Sequence, residues 1–144
     1  MSAEQNKTIA RRVVEEWYNQ GNSAVADELY ASDYIHHDPA LPLELQRGLT
    51  AYKQVIGMFR AAFPDFYMTL DDVIAEGDKV VGRWTFRGTH QGELMGIPAT
   101  GKQVTLTGIA ISRIADDKVV EGWVNFDAMG MMQQLGVIPL SGQA

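Results

Sequence analysis

The chain contains no cysteine. Disulfides, thiol nucleophiles and thiolate metal sites are therefore excluded. Basic residues are also few. Twelve Lys and Arg against 18 Asp and Glu give a net charge of −6, and the basic residues form no run. Binding a phosphate backbone needs a basic surface, so nucleic acid is not an expected partner. No apolar run approaches the ~20 residues that a membrane helix needs. The amino-terminal MSAEQNKTIARR lacks the apolar core of a signal peptide. A soluble, cytoplasmic protein with no membrane partner is expected. HExxH, GxSxG and GxxxxGK[ST] are all missing, which removes three common catalytic and phosphate-binding signatures. The histidines are His36, His37 and His90. The first two are adjacent, and on an extended chain they point to opposite faces and cannot share one ion in the usual way. No metal and no cofactor are expected.

What is present reads as one α+β domain spanning residues 1–144, helices first and consecutive strands last. Ala3–Gln20 has Ile9, Val13 and Trp17 at helical spacing, with Ser2 placed to cap its start. Ala24–Ala31 reads as a short second helix capped by Ser23. Tyr34–Pro39 reads as a short extended piece. Ala40–Arg47 is an irregular loop whose three leucines suggest that it folds over something apolar. Leu49, Tyr52, Ile56, Phe59 and Phe63 form the cleanest helical stripe in the chain, and Pro64 ends it. Four segments then alternate as strands: Phe66–Ala75, Lys79–His90, Val104–Ile114 and Val119–Phe126. On the second of these, Val80, Trp84 and Phe86 share a face opposite Arg83, Thr85 and Arg87. The glycine-rich Gln91–Lys102 is a wide connection between strands. A last helix covers Ala128–Leu135 and Gly136 closes it. The tail Val137–Ala144 is expected to fray.

The stretch Glu121–Gly136, EGWVNFDAMGMMQQLG, joins the last strand to the last helix. Glu121, Trp123, Asn125 and Asp127 fall on one strand face; Gly122, Val124 and Phe126 fall on the other. The first face suits either solvent or a cavity wall. Asp127 suits either an N-cap or an acid/base, because it stands where strand becomes helix. Trp123 and Trp84 are cavity walls or core residues by the same reasoning, and Asn125 is a hydrogen-bond donor to a carbonyl or a solvent-facing amide.

GDKVVGRWTFRGTHQGELMGIPATGK, then Ser112-Arg113-Ile114, then VVEGWVNFDAMGMMQQLG closely resemble the SnoaL-like polyketide cyclases and their ester cyclase relatives, members of the nuclear transport factor 2-like superfamily. Phe63-Pro64-Asp65 and the helical amino terminus extend the likeness over nearly the whole chain. The resemblance implies a cone-shaped α+β barrel, with a curved antiparallel sheet around a deep pocket closed by the amino-terminal helices. It implies a homodimer or higher homo-oligomer formed through the sheet. It makes Asp127 the pocket carboxylate and acid/base, with Asn125, Trp123, Trp84 and Phe59 around a small apolar, carbonyl-bearing molecule, without cofactor. It turns the Trp123, Asn125 and Asp127 face towards the cavity. The family also places a histidine three residues before the Arg-Ile pair, where this chain has Ala110. His36 or His90 would have to supply such a group from another wall. Two functions follow from the resemblance: an enzyme doing acid/base chemistry of the aldol-cyclase, isomerase or hydratase kind, or a non-catalytic binder of small hydrophobic ligands on the same fold.

Overall fold

A computed structural model describes residues 2–139. The expectation for the far end of the tail therefore lies outside the described residues. Ser2 caps α1 (Ala3–Arg12) through a capping box with Gln5. The helix does not continue regularly to Gln20. Val13–Asn19 widens into π-helical turns that bury Val13, Val14, Trp17 and Tyr18 together. The expected stripe is there, but the wider turn accommodates two adjacent large aromatics on the sheet. Asn19 fastens this segment by donating to the Met68 carbonyl at 2.8 Å and accepting from the Met68 amide at 2.7 Å.

The second helix, α2, is shorter than the sequence suggests. It spans Ser23–Leu29, and Asn22, not Ser23, is its N-cap residue. Tyr30 already belongs to a strand, β1 (Tyr30–His37). That strand is longer than the extended piece expected from sequence. Leu41, from the loop that follows, is buried as expected, while Leu43 is exposed. α3 (Leu49–Ala62) buries Leu49, Tyr52, Val55 and Ile56.

The sheet consists of β1, β2 (Tyr67–Glu76), β3 (Lys79–Thr89), β4 (Gln103–Ala115) and β5 (Lys118–Phe126), in the order β1-β5-β4-β3-β2. β2 to β5 form an antiparallel meander. β1 pairs parallel with β5, His36 opposite Gly122. The sheet is therefore mixed, and it curves without closing into a barrel. The parallel pair follows from topology: the chain leaves β1, crosses through α3 and runs the whole meander before β5 arrives beside it. On β3 the residues Val80, Gly82, Trp84 and Phe86 face inward, as alternation requires. α1, its π-helical extension and α3 cover this inner face. α4 (Ala128–Leu135) packs on the end of β4, where Gln134 bonds both the amide and the carbonyl of Thr105 at 2.8 Å.

Candidate functional site

Between the helices and the inner sheet face lies a cavity of about 160 Å³. Its walls are mainly apolar: Val13, Val14, Val55 and Phe59 from the helices; Trp84, Leu106, Ala110, Val124 and Phe126 from the sheet. The polar groups gather at the β1 end. Tyr34, His36 and Asp38 lie two residues apart, so an extended chain turns all three the same way. Tyr18, Tyr30 and Tyr52 meet them from the π-helical segment, β1 and α3. Loop residues 38–47 fold back to hold this end in place: Gln46 accepts from the His36 amide at 2.8 Å and Tyr34 accepts from the Gly48 amide at 2.7 Å.

The geometry within this cluster is specific. The Tyr34 hydroxyl and His36 Nδ1 are 2.9 Å apart. On the other side of the ring, His36 Nε2 lies 3.9 Å from Asp38 Oδ2. Asp38 Oδ1 accepts from the Ala40 amide at 2.9 Å, which leaves Oδ2 facing the imidazole and the cavity. His36 is 6 % exposed and Asp38 7 %. Burial, with His37 next to it adding a smaller push, holds His36 down to about 4. The ring is therefore neutral near pH 7, with one of its two nitrogens protonated. Burial raises the Asp38 carboxyl above its ordinary range, against the Ala40 amide that favours its ionised form. Gly122 makes room for this arrangement, because a Cβ there would come within 2.2 Å of the Tyr34 hydroxyl.

The residues expected from sequence divide between the cavity and the surface. Trp84, Phe59 and His36 line the cavity. Trp123 borders it, but its indole stacks on the half-exposed His37, with ring centroids 5.2 Å apart and planes 12° from parallel. Asn125 and Asp127 are exposed and are not among the lining residues. Asp127 is the N-cap of α4, and its Oδ1 accepts from the Gly130 amide at 2.8 Å. The placement of Asn125 and Asp127 on the cavity is thus corrected, while Trp123 stands at its edge. A strand can bury only one face, and here the buried face carries Gly122, Val124 and Phe126. His90 is fully buried beneath the β3–β4 connection, bonded through Nδ1 to Thr100 and packed against Phe63, away from the cavity. Ala110 lies directly across from Val124, so the β4–β5 wall presents methyl groups where an acid/base would need polar ones. Sequence reasoning weighed Asp38 only as a metal ligand beside the histidines and gave the tyrosines no place in the cavity; the two-residue spacing Tyr34-x-His36-x-Asp38 was the signal that marked them.

Among the described residues no cluster of three or more His, Asp or Glu side chains is placed to hold a metal ion, and no helix is long and apolar enough to cross a membrane.

Comparison with known proteins agrees with this architecture. The chain is 31 % identical over 127 residues to nogalonic acid methyl ester cyclase of Streptomyces nogalater, covering 83 % of this chain and 89 % of that one. It is 30 % identical over 135 residues to the aklanonic acid methyl ester cyclase DauD of Streptomyces sp. (strain C5), covering 89 % and 80 %. TsrD of Streptomyces laurentii superposes with a TM-score of 0.85 at 30 % identity, covering 96 % of this chain and 99 % of that one. A family model described as SnoaL-like polyketide cyclase matches residues 8–135, and the chain belongs to that family.

Proposed function

We propose that the protein is a cofactor-independent acid/base enzyme acting on a small apolar, carbonyl-bearing molecule, with Asp38 and His36 as its proton-handling pair. The observation that carries this reading is the position of Asp38 Oδ2: buried, facing the cavity, 3.9 Å from His36 Nε2 and free of the backbone bond that occupies Oδ1. A carboxylate whose basicity is raised by burial can take a proton from a carbon next to a carbonyl. The C–H electron pair then becomes the enolate double bond, and the carbonyl oxygen takes the negative charge. The proton resides on Asp38 until it is returned, either to the same carbon skeleton or to the oxygen formed when the enolate closes on a second carbonyl. The Ala40 amide holds the carboxyl in place, and Tyr34 holds the His36 ring beside it. The names of the two ester cyclase relatives support carbonyl chemistry of this class.

The test needs no prior substrate. Compact cyclic monoketones are incubated with the protein in D2O, and exchange of the α-hydrogens is followed by NMR. Exchange faster than buffer alone, reduced roughly 10²–10⁴-fold by Asp38→Asn, is expected. No acceleration with any such ketone contradicts the reading.

The apolar Ala110–Val124 wall favours a second reading, non-catalytic binding of a small hydrophobic ligand. A ligand that co-purifies and is recovered unchanged after long incubation supports it. We also propose a homodimer, compatible with either activity, through the outer sheet face, where Ile74 and Ile109 are exposed and Trp123 is half-buried. Light scattering of wild type and Ile109→Lys checks this: a dimer that dissociates on substitution is expected, and a monomeric wild type contradicts it.

A further inference from the structure

Four of the chain's five tyrosines line this cavity. Tyr18 comes from the π-helical segment, Tyr30 and Tyr34 from β1, and Tyr52 from α3, and none is more than 8 % exposed. Phenylalanine would fill the same volume without burying a hydroxyl, which costs free energy unless the hydroxyl is bonded. Tyr34 has His36 as its partner. Of the other three, Tyr18 and Tyr52 bond each other through their hydroxyls, and the Tyr30 ring packs against that of Tyr52. Among the described residues no carboxylate and no backbone carbonyl accepts from them. Burial keeps these phenols protonated, Tyr30 pushed up to about 12 and the others held well above their ordinary value. Three neutral donors thus converge where the protein supplies no strong acceptor. Tyr52 is the centre of the group. Its ring lies 4.4 Å from that of His36 and 5.7 Å from that of Tyr30.

We propose that Tyr52, backed by Tyr18 and Tyr30, holds an oxyanion, and that the cavity's ligand is a compact one-ring molecule bearing an acidic hydroxyl or an enolisable carbonyl. The proposal rests on the reading of this cavity as the site for a carbonyl-bearing molecule, and it adds which group receives the oxygen and how large the ligand is. Size follows from the cavity, whose 160 Å³ is close to the ~150 Å³ that holds one benzene ring and below the ~300 Å³ at which drug-sized ligand sites begin. Orientation follows from the one-sided chemistry. The oxygen goes to the tyrosines, and the ring goes to Trp84, Leu106, Ala110 and Val124. An oxygen on Tyr52 lies beside His36, so the carbon next to it is delivered to the Asp38 side. Preorganised donors aimed at developing charge stabilise an enolate more than the ketone it comes from.

Substituted phenols are stable mimics of such an enolate, and 4-nitrophenol reports its own ionisation by visible absorbance. The experiment titrates the full-length protein with 4-nitrophenol, with less acidic phenols of the same size, with nitrobenzene as the match lacking a hydroxyl, and with a three-ring hydroxyanthraquinone. Affinity that rises with phenol acidity, 4-nitrophenol at least ~10-fold tighter than nitrobenzene, and the three-ring compound weakest of all are expected. Tyr52→Phe should lower 4-nitrophenol affinity roughly 10–100-fold and leave nitrobenzene unchanged. Tyr18→Phe should lower it less, and serves in place of Tyr52→Phe if that variant does not fold. Equal affinity for nitrobenzene and 4-nitrophenol overturns the proposal, as does binding indifferent to both tyrosine substitutions. Ala110→Leu, which fills the cavity, should abolish binding of every one-ring probe; binding that survives it lies elsewhere and also overturns the proposal. The readout is binding without turnover. Loss of ketone exchange with phenol selectivity intact would therefore count against the acid/base reading alone, and the reverse would count against this one alone.

Discussion

The cavity has two unlike ends. At one, β1 and α3 bring together Tyr34, His36, Asp38 and Tyr52, all buried: Tyr34 bonds His36, the Tyr52 ring packs on the His36 ring, and Asp38 lies 3.9 Å from His36 Nε2. At the other, β4 and β5 offer Ala110 and Val124, while Asp127, just past the end of β5, sits outside as a helix cap. Both ends are built by the same alternation of side chains along a strand. What differs is which phase of the alternation turns inward. On β1 the inward phase carries the polar residues; on β5 it carries the apolar ones. A family frame can thus keep its fold while the polar side of its cavity stands on β1, because the walls are chemically independent once the backbone pairing is fixed.

That contrast makes the β1 end sensitive to pH and the β4–β5 end insensitive. His36 is held at about 4 in the folded protein against an ordinary 6.5. The folded form binds fewer protons than the unfolded chain between these values, so the stability contribution is complete above pH 6.5 and is lost as pH falls towards 4. The loss amounts to about 3 kcal/mol. Asp38 acts in the opposite direction, because a raised carboxyl gains stability as it is protonated, and it offsets part of the loss. Urea denaturation should show the stability of wild type relative to His36→Phe rising by up to about 3 kcal/mol between pH 4 and pH 6.5. A difference that does not change with pH breaks the contrast.

Gly122→Ala should have the next largest effect. The new methyl would meet the Tyr34 hydroxyl at 2.2 Å, and the packed end of the cavity has no room to yield. A loss of about 1–3 kcal/mol is expected by thermal or urea denaturation, together with weaker ligand binding. The smallest effect belongs to Asp127→Ala, which removes the cap bond to Gly130. It should cost about 1 kcal/mol and leave ketone exchange unchanged. A cost near zero would show that the cap contributes nothing.

Much of the fold was legible in the sequence because it rests on local periodicity. The Leu49, Tyr52, Ile56, Phe59 stripe became α3, and the Val80, Trp84, Phe86 alternation became the inner face of β3. The parallel pairing of β1 with β5 was not legible, because it joins residues more than eighty positions apart and leaves no local mark. The site was half legible. Trp84, Phe59 and His36 were placed on the cavity as expected. Asp127 was not, since alternation gives two faces without saying which is inside, and only the packing of Gly122 against Tyr34 and of Val124 across from Ala110 decides it. Asp38 lay in plain view between His37 and Pro39. Its role depends on the loop that folds back through Gln46 and Gly48 to hold β1, and that is a tertiary fact.

The most direct test sets the two carboxylates against each other. Deuterium incorporation at the α-carbons of a compact cyclic monoketone in D2O is measured for Asp38→Asn and Asp127→Asn side by side, each checked for a native thermal transition. The account predicts a loss of roughly 10²–10⁴-fold for Asp38→Asn and a rate within about twofold of wild type for Asp127→Asn. The reverse pattern, with exchange lost at Asp127 and kept at Asp38, would contradict it.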